Sequence, residues 1–152
     1  EAEGLHLGID DRGSRIVDLR KVRRRLRQLS RSSLGLVVSS HVPDVAYRSD
    51  VKAVVVLRLH PCELKKRLES LKWPASKVKE NVAAEALATC LKEALMYYGE
   101  GLVRELDVTG LGVEEAVASI AKLVEGSRQS DRVDWLSRAL EDEELAKLLA
   151  WL

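Results

Sequence analysis

Val54-Val55-Val56-Leu57-Arg58-Leu59-His60-Pro61 is an apolar, β-branched run that stops abruptly at a charged residue, a histidine and a proline. Such a run reads as a buried strand with apolar residues on both faces, the kind found inside parallel sheets. Pro61 stands where a helix begins, because the first helical turn has no use for the missing N–H. Glu63-Leu64-Lys65-Lys66-Arg67-Leu68 continues as helix. A strand feeding a helix is half of a βαβ unit. Ligands of open α/β sheets gather at the carboxyl ends of such strands, so function is expected near Arg58 and His60.

Upstream, Leu34 to Val38 reads as a short strand with Gly35 inside it, ending in Ser39-Ser40-His41. Downstream, a helix from Pro61 to about Leu71 is followed by a long one from Lys77 to Tyr98, with Ser76 as its cap. Val78, Val82, Leu87, Leu91 and Leu95 mark its apolar face, and Gly99 and Gly101 stop it. Leu102 to Val108 is a third strand. Glu114 to Val124 is a helix whose first-turn acids suit its dipole. Ser130 to Leu152 is helical by pattern, with Asp131 and Asp142 as caps and an apolar stripe that includes Trp135, Leu145 and Leu148. This tail (127–152) is expected to pack back on a domain spanning 1–126. A partner-docking helix is the alternative. Glu1 to Ser14 is polar and glycine-punctuated and reads as loop with a short helical turn.

The chain's 152 residues suffice for one domain with a single core. Its net charge of +1 gives no overall field for nucleic acid. The charge is unevenly placed, however. Asp18 is a fitting N-cap for a helix with Leu19, Val22, Leu26 and Leu29 on one face. The rest of that helix carries Arg20, Lys21, Arg23, Arg24, Arg25, Arg27 and Arg31. A run of cations is ordinarily a solvated face. The sharper reading is a surface for RNA phosphates or a partner, with Arg20, Arg23, Arg24 and Arg27 as candidates. No aromatic residue is interleaved, which argues against base stacking there.

Cys62 and Cys90 fit no metal or redox spacing and are expected to be reduced, in a cytoplasmic protein. No apolar run approaches membrane-spanning length, and there is no signal peptide. Scarce amides beside many charges lean towards a heat-adapted source. Glu1 is not an initiator Met, which suggests processing or a truncated reading of the gene.

His41 and His60 both fall at strand ends, where a histidine is more often a cap than a catalyst. No Ser/His/Asp arrangement, paired-carboxylate signature or metal cluster is defensible from spacing. No G-x-x-x-x-G-K-[S/T] loop is present. The sequence is more specific from Ala53 to Glu85. V-V-V-L-R-L-H-P, then L-K-K-R-L, then W-P-A-S-K-V-K-E-N-V-A-A-E resembles the archaeal and eukaryotic adenylate-kinase-like nucleotidases of small-ribosomal-subunit maturation. Gly4-Leu5-His6-Leu7-Gly8, Asp10-Asp11-Arg12-Gly13-Ser14 and Ile16-Val17-Asp18 are similar to that family's nucleotide-monophosphate region. Leu106-Asp107-Val108-Thr109-Gly110, with Glu114-Glu115, looks like its last strand and helix.

The resemblance implies an α/β, P-loop-kinase-type three-layer sandwich with a mainly parallel sheet. It also implies ATP and Mg²⁺, adenylate kinase or ATPase activity, and a platform ribosomal protein or rRNA as partner. The family's P-loop and first two strands would precede Glu1, so the fold is expected to be incomplete on its amino-terminal side. Its sheet would then have a gap beside the Ala53–Leu59 strand and be marginally stable in isolation. By the same resemblance His41 positions water, Arg58 and Arg67 bind the nucleotide, and Lys72 meets transferring phosphate. Ser39 stands where the family has an acid, and Leu71 where its lid has a second arginine. Both substitutions imply weak catalysis.

Overall fold

The computed structural model describes residues 6–9 and 15–152. The chain divides into two compact units, Glu1–Val51 and Lys52–Leu152.

In the first unit, β1 (His6–Ile9) pairs antiparallel with β2 (Arg15–Val17), with a register irregularity between His6 and Gly8. The loop expected there is therefore a strand over residues 6–9. The rest of that reading, including Asp10–Ser14, lies outside the described residues. Helix α1 (Leu19–Arg31) starts where the Asp18 carboxylate accepts the Arg20 and Lys21 N–H groups at 3.1 and 3.2 Å. Ser32 ends it. The strand expected over Leu34–Val38 does not form. Leu34 and Val37 are fully exposed, and no second strand lies alongside among the described residues. β propensity without a ladder partner does not make a strand, and Gly35 adds no side chain to pack.

In the second unit, β3 (Val54–Arg58) and β4 (Val103–Asp107) pair in parallel, in step from Val54↔Val103 to Arg58↔Asp107. The connection between them holds α2 (Pro61–Ser70), α3 (Ala75–Ala86) and α4 (Thr89–Tyr98). After β4 come α5 (Val113–Glu125), α6 (Trp135–Arg138) and α7 (Glu143–Trp151). Helices α4 and α5 pack on both strands. The fold is α/β with a parallel sheet and covering helices.

The single helix expected over Lys77–Tyr98 is two. Ala88 takes the left-handed conformation at φ 54°, and the chain turns there. Leu87, expected on the buried face, is exposed, while its neighbour Ala86 is buried. The break resets the apolar face so that Ala94 and Tyr98 are the buried residues of α4. Helix α3 opens at Pro74 and Ala75 rather than at a Ser76 cap. Asp142 caps α7 through the Leu145 N–H at 2.8 Å, as its position suggests. Asp131 caps no helix. Its carboxylate accepts the Asp107 N–H at the end of β4, and Asp134 caps α6 instead.

The core joins Cys62 and Leu68 of α2, Val78 and Val82 of α3, Val133, Trp135, and Leu145 and Leu148 of α7. Val78 and Val82 are one helical turn apart and therefore share a face. Leu145 is fully buried, which contributes roughly 2 kcal/mol.

Helix α2 ends in a two-bond cap. The Trp73 N–H donates to the Leu68 carbonyl, and the Lys72 N–H to the Glu69 carbonyl. This Schellman motif places Lys72 at φ 57°, a position that favours glycine because a Cβ there crowds the backbone. Lys72→Gly is expected to raise the free energy of unfolding by about 1 kcal/mol, read from urea midpoints at constant m. Ala88→Gly should shift in the same direction.

Candidate functional site

At the carboxyl end of β3 the chemistry is turned inward. Arg58 is 1% exposed, whereas its apolar neighbour Leu57 is 50% exposed. The Arg58 Nε donates to Glu85 Oε1 at 2.7 Å, and Nη2 donates to the Glu85 carbonyl at 3.0 Å. Nη1 donates to Glu105 Oε1 and to the Val133 carbonyl. Glu85 Oε1 also accepts the indole N–H of Trp135 at 2.7 Å, and Glu105 Oε2 accepts the Val133 N–H at 3.3 Å. The guanidinium lies 5.9 Å from the Trp135 ring centroid. A buried cation is tolerable only with such complete pairing. No buried side-chain nitrogen or oxygen among the described residues lacks a partner. The fork of Arg58, expected to contact a nucleotide, is here committed to two carboxylates of the framework.

His60 is likewise structural. Its Nδ1 accepts the Cys62 N–H at 3.3 Å, capping α2, and its Nε2 lies 3.3 Å from Asp142. With Nδ1 an acceptor, Nε2 is the ring atom that faces the Asp142 carboxylate. The ring meets Trp135 edge-on at 5.1 Å between centroids. The His60 N–H donates to Thr109 Oγ1, whose hydroxyl donates in turn to Asp107. Burial, with the carboxylates of Glu144 and Asp142 nearby, pushes the Cys62 thiol up. Cys62 therefore behaves as core filling rather than as a nucleophile. An open cavity of about 210 Å³ beside it is lined by Lys65, Lys66, Glu144 and Leu148. Its lysines already pair, Lys65 with Glu69 and Lys66 with Glu144.

One exposed cluster of this unit lies at the end of α2. Arg67, Leu71, Lys72 and Trp73 are all exposed there, within two turns of chain. The left-handed backbone at Lys72 and the cap behind it hold this cluster in place. His41 belongs to the other unit and is exposed.

Also in the first unit, the four arginines expected to meet RNA divide into two pairs. Arg23 donates through Nε and Nη2 to the Asp44 carbonyl at 2.8 and 2.6 Å, and also reaches the Asp44 carboxylate. Arg27 binds Asp50 through Nε at 2.6 Å and Nη2 at 3.1 Å. Both guanidinium groups lie over the Tyr47 ring, at 5.7 and 4.4 Å. Arg27 in turn holds the Asp50 carboxyl below the usual aspartate range. Arg23 and Arg27, expected to bind RNA or a partner, therefore clamp the 44–50 segment. Arg20 and Arg24 are exposed.

Among the described residues no three of His, Cys, Asp or Glu converge to hold a metal ion. No helix among them is long and apolar enough to cross a membrane.

A domain model described as "AAA domain" matches residues 2–88. The "Putative adenylate kinase" of Halobacterium salinarum is 38% identical over 129 residues, covering 84% of this chain and 72% of that protein. The proteins of that name from Methanothermobacter thermautotrophicus and Archaeoglobus fulgidus are 41% and 36% identical over 92 and 106 residues. The chain spans about half the length of each, 52% and 53%. A parallel sheet with covering helices and this match define a P-loop-kinase-type domain. The chain belongs to the AAA-domain family, and the relatives above carry the name "Putative adenylate kinase".

Glu85, the last residue of W-P-A-S-K-V-K-E-N-V-A-A-E, is a partner of Arg58 absent from the sequence-derived candidates. The signal was present. Val78, Val82 and Glu85 fall at i, i+4 and i+7, so the acid shares the buried face. Glu85→Ala is expected to cost about 3–5 kcal/mol in urea unfolding, because it strands Arg58 and the Trp135 N–H. Glu85→Gln, which keeps the acceptor oxygen, should cost less.

Asp142 gives a pH dependence. The Leu145 N–H, with His60 close by, holds its carboxyl below the ordinary value of 3.8. The lowered value favours the folded state above the ordinary pKa, and that contribution is lost as pH falls through the folded one. Wild type should therefore lose more stability than Asp142→Ala between pH 6 and pH 3 or below, measured by thermal unfolding at each pH.

Proposed function

We propose that this protein is an adenine-nucleotide phosphoryl-transfer protein with slow turnover, linked to maturation of the small ribosomal subunit. The observation that carries the reading is the exposed end of α2, where Arg67 and Lys72 present two cations beside Leu71. Adenylate-kinase-like relatives supply the substrate class. Under this reading Arg67 covers the adenine and Lys72 meets the transferring phosphoryl group as a point charge. Lys72 lacks the planar fork with which arginine holds phosphate in two places. Leu71 supplies no charge at all. Ser39 supplies no carboxylate to hold Mg²⁺ or orient water.

The described residues do not themselves fit a Mg²⁺ site, so the ion would arrive with the nucleotide phosphates. The ribosomal link rests on K-x-K-E-N-V-x-A-E over Lys77–Glu85, with a platform ribosomal protein as the expected partner. In α3 this motif divides by face. Val78, Val82 and Glu85 turn to the core, while Lys77 and Glu80 pair at the surface at 2.9 Å.

The test is conversion of AMP and ATP to ADP by the purified chain. Turnover far below the 1–100 s⁻¹ typical of kinases is expected. Leu71→Arg should raise it at least tenfold, because an arginine at transferring phosphate is worth orders of magnitude. Turnover in the normal kinase range by the unaltered chain would refute the slow-turnover reading.

A further inference from the structure

Helix α1 carries seven cations and no acid between Leu19 and Arg31. The structure sorts six of them, the seventh, Arg25, being half-buried. Arg23 and Arg27 are drawn to Asp44, Tyr47 and Asp50, and Lys21 lies 3.9 Å from Asp18. Arg20, Arg24 and Arg31 remain exposed. Among the described residues the Arg20 and Arg24 side chains make no ion pair, and Arg31 acts on Asp50 only through space. Positions 20, 24 and 31 fall at i, i+4 and i+11, which places them within about 40° of one another around the helix. The three guanidinium groups therefore form a row about 16 Å long. Arg27, at i+7, fills the gap in the row but is partly neutralised by Asp50.

We propose that this row binds the phosphate backbone of a nucleic acid, without reading its sequence. Three unpaired guanidinium groups in line complement a linear polyanion better than a single anion. Each is suited to phosphate geometry. The ring of Tyr47, the aromatic residue of the first unit, already has the Arg23 and Arg27 guanidinium groups over it, and no aromatic residue lies on the row's own helix. Counterion release then supplies the affinity, and sequence contributes little. The chain's net charge of +1 confines this behaviour to one helix. The proposal does not depend on the kinase reading.

The test is fluorescence anisotropy of the full chain with a labelled 16-nucleotide single-stranded RNA and with its duplex, across a salt series. Neutralising about three phosphates predicts a log–log salt slope near −2 for the single strand and −3 for the duplex. The two probes show which form the row prefers. Arg20→Ala, Arg24→Ala and Arg31→Ala combined should flatten the slope by about 2 while the far-ultraviolet circular dichroism of the fold is kept. Lys147→Ala, on α7 and paired with Glu143, should leave the slope unchanged. Failure to bind either RNA in 50 mM salt would overturn the proposal. So would a slope that the triple variant does not alter, or one that Lys147→Ala lowers equally.

Discussion

One buried cation sets the terms for the second unit. Arg58 enters the interior on the last residue of β3, and nothing apolar can satisfy it there. Glu85 must come from α3, Glu105 from β4, and the Val133 carbonyl from the segment before α6. Such a network adds little net stability over a well-packed apolar core, yet it is costly to break. Its contribution here is to specificity. In the parallel register Arg58 lies opposite Asp107, and Glu105 is two residues back on the same face. A slip of one residue would turn Glu105 to the opposite face and leave the guanidinium unpaired.

The same logic separates structure from function. Charges with complete partners (Arg58, Glu85, Glu105, and Arg23 and Arg27 with their aspartates) act as framework. Charges at the surface with no such demand, at the end of α2 and along the outer row of α1, are the ones available to ligands. The sequence presents both kinds alike, as arginines at strand ends and on helices. Only the positions of the carboxylates tell them apart.

That difference also explains how far the chain could be read from its letters. The β3 strand, the Pro61 helix start, β4, α5 and the Asp18 and Asp142 caps follow from local chemistry, and all are present. Leu34–Val38 has the composition of a strand, but pairing is non-local and composition carries no information about it. The turn at Ala88 was hidden because alanine is the best helix former and gives no local sign of a left-handed backbone. His60 was legible as a cap or structural bonder, and the structure shows that role. The inward turn of Arg58 was not legible, because it depends on residues 27 and 47 positions away.

Those separations bear on how the chain is made. The contacts to Arg58 span 27, 47 and 75 residues, and that between Glu85 and Trp135 spans 50. Closing such long loops costs entropy before any contact repays it. During synthesis from the amino terminus, Arg58 and Glu85 emerge long before Glu105 and Trp135. The interior of the second unit cannot seal until the chain has been extended into α7, which brings Leu145 and Leu148 to the core, whereas the arginine–tyrosine clamp of the first unit spans little more than twenty residues. Translation thus delivers the two units out of phase, the first free to form while the second still waits for its last partner.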